Sequence, residues 1–148
     1  MVYLERPPKF NPIFEVSAIH LTYQGKLLML QRHDRPGNRE GGKWGVPAGK
    51  LNKDEIAIDA ALRELFEETG IKLLPTDIEY RSTVFIKYPD IDYIYHLFVG
   101  GLTDFLPVTI TKEHLDFKWI AISNILAGKI TLPLIMDEDA CLKLIYDT

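Results

Sequence analysis

Residues 49–71 read GKLNKDEIAIDAALRELFEETGI, and this stretch predicts the amphipathic helix around which we expect the fold to be built. Asn52 is a residue type that favours the position before a helix, and Glu55 three residues later completes a capping-box-like pair. Gly70 is typical of the residue that ends a helix, because glycine adopts positive φ without strain. We therefore expect a helix that begins after Asn52 and ends near Thr69.

The two faces of this helix differ in character. At about 100° per residue, Glu64, Glu67 and Glu68 share one stripe. The opposite face is apolar and consists of Ile58, Leu62, Leu65 and Phe66. Like charges at this spacing cost an exposed helix about 0.2–0.5 kcal/mol per pair, and no Lys or Arg follows three or four residues later. A hard divalent cation would relieve the repulsion, and carboxylates suit Mg²⁺ or Mn²⁺ better than Zn²⁺. A solvated acidic face is the alternative.

The whole stretch resembles the Nudix box, G-x5-E-x7-R-E-U-x-E-E-x-G-U with U aliphatic, and every fixed position is met between Gly49 and Ile71. The approach at 44–48, WGVPA, is also similar to the family's usual run into the box, with Ala48 where many members have a second glycine. The resemblance implies an α+β fold, namely an α/β/α sandwich whose mixed central sheet carries the box helix on one face. We expect residues 1–148 to form one such domain.

The family resemblance also implies a metal site on the box. Glu64, Glu67 and Glu68 would bind Mg²⁺, with Mn²⁺ as an alternative, either directly or through water. The Gly49 carbonyl would add a ligand. A divalent ion at this place would lower the pKa of a bound water and neutralise charge on a diphosphate.

Further roles follow from the same resemblance. Glu55 and Arg63 would pair as a structural brace between loop and helix, although the spacing fits an exposed Arg equally well. The general base of the family is either a box glutamate or an acidic residue on a distant loop. Glu64 is therefore the first candidate, Glu113 in a polar turn before a strand is the second, and Asp116 is the third.

Basic and aromatic residues near the box are candidates for substrate contacts. The basic candidates for binding phosphate are Arg32, Arg35, Arg39 and Lys50. Arg32 is the best of them because it ends a predicted strand. The tyrosines at 88, 93 and 95 could stack on a base, but alternating tyrosines in a strand more often pack across strands.

The remaining sequence fits a mixed sheet with few helices. Strands are predicted at 13–23, 26–32, 78–87, 93–101 and 115–122, and helices after Ser123 and at 136–146. The chain of 148 residues is 47% apolar and 26% charged, which is ordinary for one globular domain. Its net charge of −4 argues against general binding of nucleic acid polymers. No apolar run reaches a membrane span, and the single Cys141 fits a reducing compartment, so we expect a cytoplasmic protein.

These observations leave several functions open. The first is an enzyme that cleaves a diphosphate linkage in a nucleotide-like small molecule, and a nucleoside triphosphate pyrophosphohydrolase leads within that class. Hydrolases of ADP-ribose, other nucleotide sugars or dinucleoside polyphosphates follow. A non-catalytic nucleotide sensor on the same fold is the alternative class, but such modules generally lose box glutamates, and this chain keeps all of them. A dimer is common in the family, so a homodimer remains open.

Overall fold

The computed structural model describes residues 1–37 and 39–146. Within these ranges the strands are β1 (Val2–Tyr3), β2 (Glu15–Tyr23), β3 (Lys26–Arg32), β4 (Trp44–Gly45), β5 (Ala48–Lys50), β6 (Glu79–Lys87), β7 (Asp92–Leu102) and β8 (His114–Ala121). The helices are α1 (Ala57–Thr69), α2 (Ile122–Leu126) and α3 (Glu138–Tyr146), with a 3₁₀ turn at Pro75–Asp77. No helix in the described ranges is long and apolar enough to cross a lipid bilayer.

Strand β2 joins two arms of one mixed sheet. Along its whole length it pairs in parallel with β7, which in turn pairs antiparallel with β6, and β6 with β1. On its other edge, β2 pairs with β5 from Val16 to Ala18 and with β3 only at Thr22 and Tyr23. Strand β3 then turns away to pair with β4 and β8. The sheet therefore opens beyond the β2–β3 hairpin, with β5 on one arm and β4 on the other.

Helices cover both faces of the sheet because side chains alternate along its strands. On β3, Leu28 and Leu30 join the core beneath α1, whereas Leu27 and Met29 join the core beneath α2 and α3. Leu65 of α1 is fully buried in the first of these cores. The second contains the buried apolar residues of α3, which are Cys141, Leu142 and Ile145. This arrangement confirms the predicted α+β sandwich with a mixed sheet.

Helix α1 begins later than expected. Its first residue is Ala57, and Ile56 before it provides no side-chain cap. Asn52 instead closes a turn with Glu55: the Asn52 N–H donates to Glu55 Oε1 over 2.9 Å, and the Glu55 N–H donates to the Asn52 carbonyl over 3.1 Å. The capping pair was therefore wrong as a helix start, because its carboxylate is held in a tertiary ion pair before the helix begins. The expected end is confirmed, since Gly70 has φ of 76° and its N–H donates to the Phe66 carbonyl.

A second predicted cap is also misplaced. Helix α2 begins at Ile122 and its cap position is Ala121, so Ser123 lies inside the helix. The helix continues directly from β8, which ends at Ala121, and the Ile122 N–H donates to the Gly25 carbonyl of the β2–β3 hairpin over 3.1 Å. This long-range backbone bond takes up one of the unpaired donors of the first turn, which a side-chain cap would otherwise satisfy.

Candidate functional site

A cleft of about 610 Å³ lies where the two arms of the sheet separate. Its lining comes from β3, β5, α1, β7 and the segment leading into β8. One end of the cleft is acidic, with Glu64, Glu68 and Glu113 in its wall. We call this the carboxylate end. The tyrosines of β7 and the start of α3 form the other end.

Burial sets the electrostatics of the carboxylate end. The Glu68 side chain is only 6% exposed, and Glu68 Oε2 accepts the Ala48 N–H over 3.3 Å. Burial and the neighbouring Glu64 carboxylate raise the pKa of Glu68 well above its usual range. Burial also raises the pKa of Glu64, and the Glu67 and Glu113 carboxylates act in the same direction, although Arg63 opposes them. The site thus holds negative charge at an electrostatic cost that a cation would remove.

A close approach between β5 and α1 brings the Glu64 carboxyl group against the backbone of Gly49. A Cβ atom added at Gly49 would overlap that carboxyl group, so any other residue here would displace the Glu64 side chain from the strand. Gly49 pairs with Ser17 in the sheet, and Ser17 Oγ donates to the Ala57 carbonyl of α1 over 2.8 Å. Gly49, the first residue of the motif, therefore allows the Glu64 carboxyl group to pack against β5.

Arg63 connects the loop before α1 to the acidic stripe. Its Nε and Nη2 donate to the two carboxylate oxygens of Glu55 over 2.8 and 2.9 Å, and Nη2 also donates to the Lys50 carbonyl over 3.0 Å. This bidentate contact lowers the pKa of Glu55 to about 2. The structure thus places the two residues of the predicted brace in direct contact.

Arg63 also contacts two of the box glutamates, which the helical pattern did not predict. Its Nη1 donates to Glu64 Oε1 over 2.8 Å and to Glu67 Oε2 over 3.1 Å. The expectation that no basic residue relieves the acidic stripe was therefore wrong. A basic residue can pair with a glutamate four residues after it as well as with one four residues before it, and Arg63 precedes Glu67 by four residues. Glu67 is 55% exposed and lies outside the lining of the cleft.

Glu113 reaches the cleft because of an irregularity between β3 and β8. Gln31 pairs with Asp116 but Arg32 pairs with His114, so the register shifts by one residue at this point. Such bulges redirect side chains at the end of a ladder. Both Glu113 and His114 line the cleft, whereas Asp116 does not and is exposed. Burial lowers the pKa of His114, and Arg32 acts in the same direction.

The four predicted phosphate-binding cations all line the cleft. Arg32 is close enough to Glu68 to oppose the rise in the pKa of that carboxyl group. Arg35 Nη2 donates to the Lys112 carbonyl over 2.8 Å, which ties it to the turn that carries Glu113. Arg39 is paired with Asp90 through two hydrogen bonds of 2.7 and 2.8 Å. The Lys50 ammonium lies 4.2 Å from the centre of the Phe14 ring.

Aromatic rings also line the cleft. We call the rings of Phe14, Tyr88, Tyr93 and Tyr95 the aromatic wall. Phe14 stacks on Tyr93 with centroids 5.2 Å apart and planes at 16°, and Tyr93 contacts both of the other tyrosines. The tyrosines therefore pack against each other, as expected, and also line the cleft. Phe14 was not foreseen as a cleft residue, because it falls within the predicted strand at 13–23, whereas β2 begins one residue after it.

A second buried glutamate in the cleft was also missed. Glu138 is the first residue of α3 and is 3% exposed. Its Oε1 lies 3.2 Å from Nε2 of His20, which is fully buried in β2. In the sequence Glu138 reads as one of several acidic residues that favour a helix N-terminus. The signal available was His20, an ionisable residue between the apolar Ile19 and Leu21.

The donor set at the carboxylate end suits a hard divalent cation. All three acidic groups supply oxygen, which Mg²⁺ and Mn²⁺ prefer. Burial and neighbouring carboxylates raise the pKa of Glu68, which means that its ionised form lacks sufficient compensating positive charge nearby. Within the described ranges, no three acidic, His or Cys side chains already converge at metal-binding distances, and Arg63 occupies one oxygen each of Glu64 and Glu67. The residues therefore fit such an ion through the chemistry of their oxygen donors.

Comparisons with known proteins agree with this architecture. The profile of the NUDIX domain matches residues 13–136. Phosphatase NudJ of Escherichia coli K12 is 32% identical over 136 residues, covering 89% of this chain and 84% of that protein. The MutT protein of Methanosarcina mazei Go1 superposes with a TM-score of 0.73 at 26% identity, covering 90% of this chain and 94% of that one.

A second solved structure was determined with ligands. It is the bifunctional NMN adenylyltransferase/ADP ribose pyrophosphatase of Francisella tularensis, complexed with AMP and a Mn ion. Its TM-score with this chain is 0.74 at 27% identity, and the match covers 94% of this chain and 42% of that protein.

Proposed function

The chain belongs to the Nudix hydrolase family, and from that premise we propose that it uses Mg²⁺ to hydrolyse a diphosphate linkage in a nucleoside diphosphate derivative. A nucleoside triphosphate, cleaved to a monophosphate and pyrophosphate, is the first substrate class. One observation carries this proposal: Glu64, Glu68 and Glu113 line the same cleft as a set of aromatic rings. The cleft can thus hold a charged diphosphate and a flat ring at the same time.

The metal would be held by the box glutamates Glu64, Glu67 and Glu68 together with the Gly49 carbonyl. When bound, it would neutralise charge on the diphosphate and make a bound water more acidic. Glu67 would have to leave Arg63 to take part, whereas Arg63 can keep Glu55 through its other two nitrogens. The brace therefore keeps the loop on the helix while the glutamate oxygens are in use. Mn²⁺ is the alternative ion.

Four basic residues would bind the phosphates from the rim of the cleft: Arg32, Arg35, Arg39 and Lys50. Their charges counteract a net charge of −4 that would otherwise repel an anionic substrate. Arg32 is the leading candidate because its charge is felt at Glu68. Arg39 would bind phosphate only after its hydrogen bonds to Asp90 break, since both of its terminal nitrogens donate to that carboxylate.

Glu64 is the first candidate for the general base and Glu113 is the second. Burial raises the pKa of Glu64, which makes it a better proton acceptor than an exposed carboxylate. Glu113 is exposed on its turn and lies near both glutamates. Loss of the base lowers kcat by about 10²–10⁴-fold. Comparing Glu64→Gln with Glu113→Gln by kcat and by the acidic limb of the pH–rate profile assigns the role, and equal small losses would reject both candidates.

A panel assay tests the activity itself. Purified protein is incubated with Mg²⁺ and nucleoside triphosphates, ADP-ribose, nucleotide sugars or dinucleoside polyphosphates, and the products are separated by ion exchange. Release of pyrophosphate from a triphosphate supports the first substrate class, and turnover of another group replaces it with that group. Binding without turnover of any member would identify a nucleotide sensor and refute the proposed hydrolysis. We also propose that residues 1–148 act as one domain in the cytoplasm, with size-exclusion chromatography deciding between monomer and homodimer.

A further inference from the structure

Glu138 is a buried acidic group that the proposed hydrolysis does not use. It belongs to the wall of the cleft, yet its side chain is 3% exposed. One oxygen, Oε1, contacts His20 at 3.2 Å. The other, Oε2, has no hydrogen-bond partner among the described residues and lies 3.6 Å from where a Cβ of Gly45 would stand. A carboxylate accepts at both oxygens, so this group has acceptor capacity left on the side of the cleft.

The surrounding backbone fixes Glu138 in this position. Strand β4 is held on one edge by β3, and on the other by Pro133, whose carbonyl accepts the Trp44 N–H over 2.8 Å. The Ile135 N–H donates to the Trp44 carbonyl over 2.9 Å, and the Glu138 N–H donates to the Ile135 carbonyl over 3.0 Å. The start of α3 is therefore attached to the edge of the sheet. Such a support is what a recognition residue needs.

His20 makes Glu138 an acceptor toward the cleft. His20 is fully buried, and its Nδ1 has no partner among the described residues. A ring nitrogen that carries a proton donates to a carboxylate oxygen, so the contact between the two buried side chains is satisfied when His20 Nε2 donates to Glu138 Oε1. What Glu138 still lacks is a donor, and the cleft is where one can enter.

The neighbours of Glu138 indicate a flat, uncharged ring as that donor. Glu138 acts on both Tyr93 and Tyr95, since its charge contributes to raising the pKa of each phenol. Phe14 stacks on Tyr93 at 5.2 Å, and both rings line the cleft that Glu138 also lines. Val46 and Ile135 add apolar lining. Stacking on aromatic residues with one buried polar group at the edge is a common way to bind a heterocycle.

We propose that Glu138, positioned by His20, is a specificity residue that reads the base of the substrate and selects a heterocycle with two adjacent donors, the chemistry of guanine. Guanine offers a ring N1–H beside its 2-amino group. Adenine and cytosine place a ring acceptor beside their amino group, which a carboxylate would repel, and uracil places its N–H between two carbonyls. A site built around a polar partner discriminates strongly against analogues that leave it unpaired.

This proposal rests on the proposed function and deepens it, but it can be tested without turnover. Binding of nucleoside monophosphates to the wild-type protein is measured by titration calorimetry. We expect GMP to bind about 10–100-fold more tightly than AMP or CMP, with IMP between them because it lacks the 2-amino group. A 1-methyl group on GMP should remove the preference. Equal affinities for GMP and AMP would overturn the proposal. It would also be overturned if removing the ribose 2′-hydroxyl abolished binding while changing the base had no effect on affinity.

Variants then locate the preference on one residue. In Glu138→Gln the amide oxygen can keep His20, which turns the amide NH₂ toward the cleft. We expect the ratio of kcat/KM for GTP to that for ATP to fall by about 10–100-fold. Asp139→Asn is the matched control, since Asp139 is exposed on the same helix and outside the cleft, and its ratio should equal that of the wild type.

The outcomes separate the two proposals. Hydrolysis of nucleotides with an unchanged ratio in Glu138→Gln refutes the role of Glu138 and leaves the hydrolysis standing. A chain that hydrolyses no nucleotide but still prefers GMP refutes the hydrolysis and supports the role of Glu138. If Glu138→Gln fails to fold, equal binding of GMP and AMP to the wild-type protein still refutes the role of Glu138.

Discussion

The two ends of the cleft each contain a buried glutamate, but the two carboxylates have opposite surroundings. Glu68 at the carboxylate end is raised in pKa by burial and by Glu64 and Glu113. Glu138 at the other end faces His20 and the phenol rings of β7. Several neighbouring carboxylates favour binding of a cation, whereas one carboxylate among neutral rings favours binding of a hydrogen-bond donor. Under the two proposals above, the same residue type would serve chemistry at one end and recognition at the other.

The two ends also differ in how the chain builds them. Most of the carboxylate end comes from one continuous stretch, 49–68, in which α1 packs back on β5. The aromatic wall and Glu138 come from three separate places along the chain: before β2, around β7 and at the start of α3. The contrast teaches that a local motif can specify reactive groups, whereas a binding surface here depends on long-range packing. Three changes test it, beginning with the largest expected effect.

Glu68→Gln should separate catalysis from folding at the carboxylate end. Loss of a metal ligand costs several kcal/mol of transition-state stabilisation, so we expect kcat/KM to fall by about 10²–10⁴-fold. The metal-free protein should resist urea at least as well as the wild type, because a charged Glu68 is costly to bury at neutral pH. Asp59→Asn on the exposed side of α1 is the control. Activity that survives Glu68→Gln would contradict the site assignment.

Phe14→Leu tests the aromatic wall with a smaller effect. Stacking of one base on an aromatic ring contributes about 1–3 kcal/mol, so we expect KM to rise about tenfold while kcat changes little. The comparison of the two ends predicts a change in KM without a change in kcat, since the aromatic wall is proposed to bind the substrate and not to take part in the reaction. Phe105→Leu is the matched control because Phe105 is 60% exposed and lies outside the cleft. A fall in kcat with unchanged KM would show that the wall contributes to the chemical step.

Glu55→Gln tests the brace and should give the smallest effect, on stability. The Arg63 guanidinium lowers the pKa of Glu55 to about 2, below its ordinary value of 4.5. The ion pair therefore stabilises the fold fully above the unfolded pKa and loses its effect as the pH falls through the folded one. We expect a loss of about 1–2 kcal/mol in urea unfolding at pH 7, shrinking as the pH falls below about 5. Glu79→Gln, at an exposed position, is the control. A difference independent of pH would rule out the ion pair as its cause.

Several features of the fold could be predicted because they rest on local patterns. The run of four apolar residues in β3 and the glycine that ends α1 each act within a few residues. The start of α1 could not be predicted from Asn52 and Glu55, since Glu55 is held by Arg63, eight residues away in the next element. Likewise, the position of Glu113 depends on a register shift between β3 and β8 that no single strand encodes.

The sequence by itself determined the family, the sandwich and the three box glutamates, because the spacing of a helix and a turn places those groups without help from distant residues. Only the tertiary structure decided that Arg63 reaches Glu64 and Glu67, and that Phe14, Tyr93 and Glu138 share a cleft. The physical reason is that these contacts depend on how β2 pairs with β7 and how α3 docks on the sheet. Such pairings are set by burial of the two cores as a whole, so their partners cannot be identified from either segment alone.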